Sequence, residues 1–217
     1  SKIDREESNL SSEERSDESR EESSKPMDSE DKSESVPTSG ALSETSEETG
    51  VSTVAYDLQS LDNTKQGWGQ GVQVDEKNRP TSPLVFQEKY GKYDAYYIGE
   101  DEPVIYLTFD CGYENGCTAP ILDTLKEKGV QAVFFCTLDY IKSQPELIKR
   151  MIEEGHAIGN HSDKHPCFPE VSIERREEEI MNVHKYMEDE FEYTMTLFRP
   201  PAGEFSEQTL AQTQMLG

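Results

Sequence analysis

From residue 104 onward the apolar positions come in short bursts, and their period switches between strand-like and helix-like spacing. Residues 104–109 form an apolar, β-rich run that predicts a first strand. In residues 118–128, Ile121, Leu122 and Leu125 fall at helical spacing, and Gly129 stands where a helix C-cap belongs. Residues 130–137 predict a second strand. Pro145 opens a helix in its first turn, Leu147, Ile148, Met151 and Ile152 form the buried stripe, and Gly155 closes it. Residues 156–161 predict a third strand. Ser172 is placed to cap a helix running to about Glu190, with Ile173, Ile180, Val183 and Met187 on its apolar face. Residues 194–198 predict a fourth strand, and Ser206 caps one more helix. Strand and helix alternate without tandem hairpins, which implies an α/β chain with a parallel sheet and right-handed crossovers. The pattern does not separate an open doubly wound sheet from a barrel. Both place ligands at the carboxyl ends of their strands.

The region before residue 104 lacks this texture. Residues 1–50 hold 16 acidic and 6 basic side chains and no aromatic one. Such a segment cannot bury enough apolar surface to offset its ordering entropy, so residues 1–52 are expected to be a disordered Ser/Glu-rich spacer. Residues 53–103 are expected to lead irregularly into the domain, with Pro80, Pro83 and the lone Trp68 among Gly67, Gly69 and Gly71. Residues 104–217 form the domain proper. The net charge of -24 over 217 residues argues against nucleic acid and against docking on anionic lipid. No apolar run approaches the roughly 20 residues a bilayer-spanning helix needs.

Candidate chemistry gathers at the predicted strand ends: Asp110 and Cys111 after the first, His161 after the third, Arg199 after the fourth. His161 and His165 are four residues apart, so one helical turn would point both imidazoles the same way and let them share a metal. The plainer reading is two surface histidines. Asp110 beside a metal could take a proton from metal-bound water, or it could simply accept loop amides. His156 and His184 have no such setting, and His184 reads as a helix packing residue. Cys111, Cys117, Cys136 and Cys167 form no CxxC pair, which disfavours a zinc ribbon or a thioredoxin motif and leaves buried free thiols as the expectation.

Three ordered motifs carry a resemblance: Leu107-Thr108-Phe109-Asp110-Cys111-Gly112, Gly159-Asn160-His161-Ser162-Asp163-Lys164-His165-Pro166, and Arg199-Pro200-Pro201-Ala202-Gly203. In order and spacing they resemble the NodB-homology polysaccharide deacetylases. Tyr113-Glu114-Asn115-Gly116 and Lys92-Tyr93-Asp94-Ala95-Tyr96-Tyr97 resemble the delta-lactam-biosynthetic branch, which acts on muramic acid during spore cortex formation. The resemblance implies a distorted (β/α) barrel, here only its N-terminal portion, with one divalent metal, usually zinc. It implies Asp110 as catalytic base, His161 and His165 as metal ligands, Arg199, Pro200 and Pro201 as a groove wall, and the Ala202 amide as an oxyanion donor. Where the family carries a second Asp, this chain has Cys111. Either its thiolate takes that ligand's place or it stays apart and water fills the position; both remain open. The family's later motifs, including the histidine that protonates the leaving amine, have no counterpart before Gly217, so the domain is expected to be C-terminally incomplete.

The implied activity is removal of an N-acetyl group from a cell-wall amino sugar, most closely peptidoglycan N-acetylmuramic acid. A chitin-type or xylan-type deacetylase and a non-catalytic glycan-binding relic are the competing expectations. Trp68 reads either as a sugar-stacking platform or as packing. The implied partner is a cell-wall glycan, with no protein partner, and the implied location is the exterior or surface of a bacterium, the export signal lying outside this chain. Brief proteolysis should trim residues 1–50 and leave a stable remainder; hydrogen-exchange protection across that segment would contradict its composition.

Overall fold

The computed structural model describes residues 54–217, so the expectation for residues 1–52 lies outside the described residues. In chain order the elements are β1 (Gln66–Gly67), α1 (Thr81–Tyr90), β2 (Thr108–Cys111), α2 (Thr118–Lys128), β3 (Val133–Cys136), α3 (Leu138–Ser143), α4 (Pro145–Glu153), β4 (Ala157–Asn160), α5 (Ile173–Phe191), β5 (Glu204–Phe205) and α6 (Glu207–Met215). Strands β2, β3 and β4 pair in parallel, in that order. The predicted fourth strand is reduced to one parallel bridge, Asn160 to Phe198, held by Asn160 N–H on the Leu197 carbonyl (2.7 Å) and Arg199 N–H on the Asn160 carbonyl (3.0 Å).

Local signals explain where the helices begin and end. Gly129 is left-handed (φ 63°, ψ 35°) and its amide closes the last turn of α2 on Leu125 and Lys126. Pro145 occupies the first turn of α4, where its missing N–H costs nothing. The Ser172 side chain accepts from Arg175 N–H, and Ser206 forms a reciprocal capping box with Thr209.

Side-chain alternation gives the sheet two faces. Phe109, Phe134 and Ile158, with Cys111 and Cys136 one step further on, face a core completed by Leu122 and Leu125 of α2, Ile148 and Met151 of α4, and Val183 and Met187 of α5. Asp110, Phe135 and Gly159 are in register across the opposite face.

Two expectations are corrected. Strand β2 begins at Thr108, later than the apolar run suggests, and residues 104–107 are exposed. A strand exists where it has a ladder, and β3 pairs only from Thr108 onward. Residues 53–103 are not merely irregular: α1 starts directly after Pro80 and carries Pro83 in its first turn, where proline is tolerated. This segment builds a second core in which Tyr90, Tyr93, Phe205 and Ala211 are buried and Tyr56, Phe86 and Tyr97 pack around them. Phe205, 2% exposed, sits with its ring centroid 5.5 Å from those of Phe86 and Tyr90 and 5.4 Å from that of Tyr97. Phe205→Ala should therefore destabilise the fold by about 3–5 kcal/mol in urea titration; a loss below about 1 kcal/mol would show that this cluster is not a core.

Candidate active site

The site is built on the face that carries Asp110, Phe135 and Gly159. Glycine is required at 159 because a Cβ there would lie 2.3 Å from the Phe135 ring. The ring therefore lies across β4 and forms a shelf. The Arg199 guanidinium rests on it, 4.1 Å from the ring centroid. From this shelf Arg199 Nη1 donates to Asp110 Oδ1 (2.6 Å) and Nη2 donates to Thr108 Oγ1 (3.0 Å). The predicted base and the predicted groove-wall arginine are thus in direct contact, although 89 residues separate them.

His161 is buried directly after β4, and its Nδ1 lies 2.9 Å from the Arg199 carbonyl. A carbonyl only accepts, so Nδ1 carries the proton and the Nε2 lone pair is left free, the tautomer a metal ligand needs. Burial lowers the His161 pKa, an effect the Arg199 carbonyl partly offsets, and the ring is thereby kept in its neutral, ligating form. His165 is exposed, with its ring centroid 4.9 Å from that of His161.

No helical turn brings the two histidines together, contrary to the expectation from their spacing. Residues 161–165 form a loop with Ser162 (φ 68°) and His165 (φ 55°) in the left-handed region. Ala202 (φ 55°) is left-handed as well, so three of the six non-glycine positive-φ residues described lie in the two loops of this site. Such conformations cost roughly 1–3 kcal/mol each and persist only where surrounding structure imposes them.

Here the imposing groups are buried and polar. Asn160 accepts from Ser162 N–H (2.9 Å) and donates to the Ile180 carbonyl (2.9 Å). Ser162 Oγ accepts from His165 N–H (3.0 Å). Glu179 of α5, fully buried and ion-paired with Arg175, accepts from Lys164 N–H (2.6 Å), and its carbonyl accepts from Asp163 N–H (3.0 Å). Sequence reasoning missed Glu179 because the run Arg175-Arg176-Glu177-Glu178-Glu179 reads as a solvated helix face. It missed Phe135 as well, although Gly159 inside a strand is the signal that something approaches closely.

Cys111 turns the other way. It is the cross-strand partner of Cys136 on the core face, and both thiols are buried, that of Cys136 donating to the Phe134 carbonyl (3.7 Å). Of the two readings left open for Cys111, this geometry supports the one in which it stands apart from the histidines. Among the described residues no three His, Cys, Asp or Glu side chains come close enough to share an ion. The donors on the site face that could hold a metal are the two imidazoles. The expectation of buried thiols holds for Cys111 and Cys136, while Cys117 is exposed and Cys167 half-buried.

The loop after Asp110 is tied down by Glu114, whose carboxylate accepts from the Thr118 hydroxyl, from the amides of Gly116 and Thr118, and from Tyr140 Oη (3.0 Å). These bonds, the Thr118 hydroxyl first, hold its pKa down at about 2. Pro201 is buried and begins the short 3-10 turn Pro201–Gly203, Pro200 is half-buried, and Ala202 is exposed. His156 is structural, accepting Ala132 N–H at Nδ1 (3.2 Å), and His184 Nε2 lies 3.2 Å from Glu188 Oε1.

A parallel α/β sheet carries an arginine-held carboxylate and two histidines beyond its strand ends, the edge at which α/β folds place their sites. The family described as polysaccharide deacetylase matches residues 98–217, more than half the chain, and the chain belongs to this family. It is 39% identical over 170 residues to the peptidoglycan-N-acetylmuramic acid deacetylase PdaA of Bacillus subtilis, a match covering 75% of this chain and 62% of the relative. The solved structure of PdaA, a family 4 carbohydrate esterase, superposes with a TM-score of 0.67 at 40% identity, covering 72% of this chain and 68% of that one. A family 4 carbohydrate esterase from Bacillus anthracis gives a TM-score of 0.64 at 41% identity, covering 73% and 72%. An uncharacterized 30.6 kDa protein of Geobacillus stearothermophilus is 43% identical over 140 residues, 64% of this chain and 53% of its own length. The chain thus spans between half and two thirds of these two curated relatives.

If Cys111 stands apart from the metal, Cys111→Ala should retain the bound metal per chain that the unaltered protein carries, whereas His161→Ala should lose it. Metal analysis after desalting checks both; loss in the cysteine variant alone would return Cys111 to the ligand set.

Proposed function

We propose that this chain removes the N-acetyl group from an amino sugar of a cell-wall polysaccharide outside the cell, with peptidoglycan N-acetylmuramic acid as the substrate. The observation that carries the reading is the convergence of Asp110, Arg199 and His161 on one sheet face, with Arg199 bonded to both of the others. The similarity to PdaA supports the choice of muramic acid.

Arg199 occupies Asp110 Oδ1 and orients the carboxylate, which leaves Oδ2 to accept a proton from an attacking water. His161 and His165 would hold the divalent cation, zinc in expectation, which when bound supplies polarisation of the acetyl carbonyl and acidification of water. The Ala202 amide, presented by the strained turn beside Arg199, donates to the oxygen on which charge develops. The Pro200 and Pro201 rings give this wall a shape that does not have to be ordered on binding.

The turned-away Cys111 favours a second reading, a glycan-binding protein without turnover, since the family's additional carboxylate ligand is missing at that position. Metal content measured together with acetate release separates the two readings: bound metal with no release from any N-acetylated glycan supports the second.

In the protein carrying this chain, Asp110→Asn should lower acetate release from N-acetylated peptidoglycan strands by about 10²–10⁴ while retaining metal, because the amide keeps the shape and cannot take the proton. Near-normal turnover in that variant would remove Asp110 from its role. Release of acetate from glucosamine residues alone, with muramic acid untouched, would redirect the substrate assignment.

A further inference from the structure

Trp68 is the only tryptophan in the chain, and its side chain is half exposed (50%). Among the described residues it belongs to neither apolar core. It is one of several large apolar residues left exposed among the described residues. Its backbone, by contrast, is held at every step. Asn63 donates to the Pro169 carbonyl (2.9 Å) and accepts from the Ser206 hydroxyl (2.8 Å). Lys65 pairs with Glu170 (2.7 Å) and Glu204 (3.3 Å). Gln66 and Gly67 form β1 against Phe205 and Glu204, and Trp68 N–H donates to the Gly203 carbonyl (2.8 Å). Residues 63–68 are therefore a strap fixed to both chain segments that continue from the site, the one after His165 and the one after Arg199.

We propose that Trp68 is a carbohydrate-stacking subsite, taking one pyranose ring of the same glycan whose acetyl group is presented to Asp110. The proposal rests on the deacetylase reading above and extends it along the glycan. Gly203 is left-handed (φ +66°), and a Cβ there would lie 3.4 Å from the Trp68 Cβ, so the base of the Trp68 side chain stands directly against the groove-wall loop. Trp68 is 50% exposed, and a Cβ at either neighbouring glycine, Gly67 or Gly69, would meet nothing within 4 Å, so the backbone on both sides of it is open to solvent. Gly203 is four positions beyond Arg199, a span of at most about 14 Å, and the Gly203 N–H bond to the Pro200 carbonyl (3.1 Å) folds it shorter. That distance is within the length of a short oligosaccharide. The axial C–H groups of a pyranose carry partial positive charge and suit the negative face of an indole, while the ring hydroxyls stay in water at the rim. A rigid strap means little ordering entropy is lost when the sugar arrives.

The lone tryptophan makes the test direct, because its emission reports on Trp68 alone. A hexasaccharide of alternating N-acetylglucosamine and N-acetylmuramic acid is titrated into the protein, with emission and calorimetric heat followed in parallel. The expected result is a saturable change in emission that tracks the heat, with Trp68→Ala binding about five- to tenfold more weakly and Trp68→Phe recovering part of the loss. The unaltered urea midpoint of Trp68→Phe guards against a folding artefact. If the hexasaccharide binds by calorimetry while emission and the affinity of both variants stay unchanged, the subsite is overturned and the deacetylase reading survives. If the unaltered protein gives no heat and no emission change, the subsite falls together with the glycan reading on which it rests.

Discussion

Side chains alternate between the two faces of a strand, and in β2, β3 and β4 this alternation divides the chemistry of the protein. One face carries Phe109, Phe134, Ile158 and the thiols of Cys111 and Cys136 into the core. The other carries Asp110, Phe135 and Gly159 toward the site. A slip of one residue in β2 would turn Asp110 toward the core and the Cys111 thiol away from it. The large apolar residues on the core face oppose that slip, so packing energy and site geometry depend on the same register. Phe135 couples them further, since its ring fills the space above Gly159 and supports the guanidinium that holds Asp110.

The loops beyond the strands need a different kind of support. Ser162, His165 and Ala202 adopt backbone conformations that non-glycine residues avoid, and buried polar groups hold two of them there. Asn160 acts from the strand end on Ser162, Ser162 acts in turn on His165, and Glu179 in the middle of α5 fixes the intervening Lys164. Loss of the Asn160 side chain would leave the buried Ser162 N–H without its acceptor, at a cost of about 1–3 kcal/mol. The loop that carries His161 and His165 is consequently held with little freedom.

The region ahead of β2 has a structural part as well. Its aromatic residues close around Phe205, and its strap crosses the two segments leading away from the site. Phe205 thereby links the second core to the turn containing Ala202, only three residues away. The polysaccharide deacetylase family match begins at residue 98, so much of this second core lies outside the matched region.

Helix boundaries were legible in the sequence because they depend on local chemistry: Gly129, Pro145, Ser172 and Ser206 act through their own backbones and nearest neighbours. The three motifs were legible for a similar reason, since each is a short loop at a strand end, and they identified the family. Other features depended on partners distant in the chain. Helix α1 is weakly patterned and is stabilised by an aromatic cluster that includes Phe205, more than a hundred residues away. The start of β2 follows from where β3 pairs, not from where the apolar run begins. The spacing of His161 and His165 pointed to a helix, but the hydrogen bonds that the loop amides donate to Asn160 and Glu179 imposed a loop. Cys111 follows Asp110 directly in sequence, and only pairing with Cys136 in the sheet decided that its side chain belongs to the core.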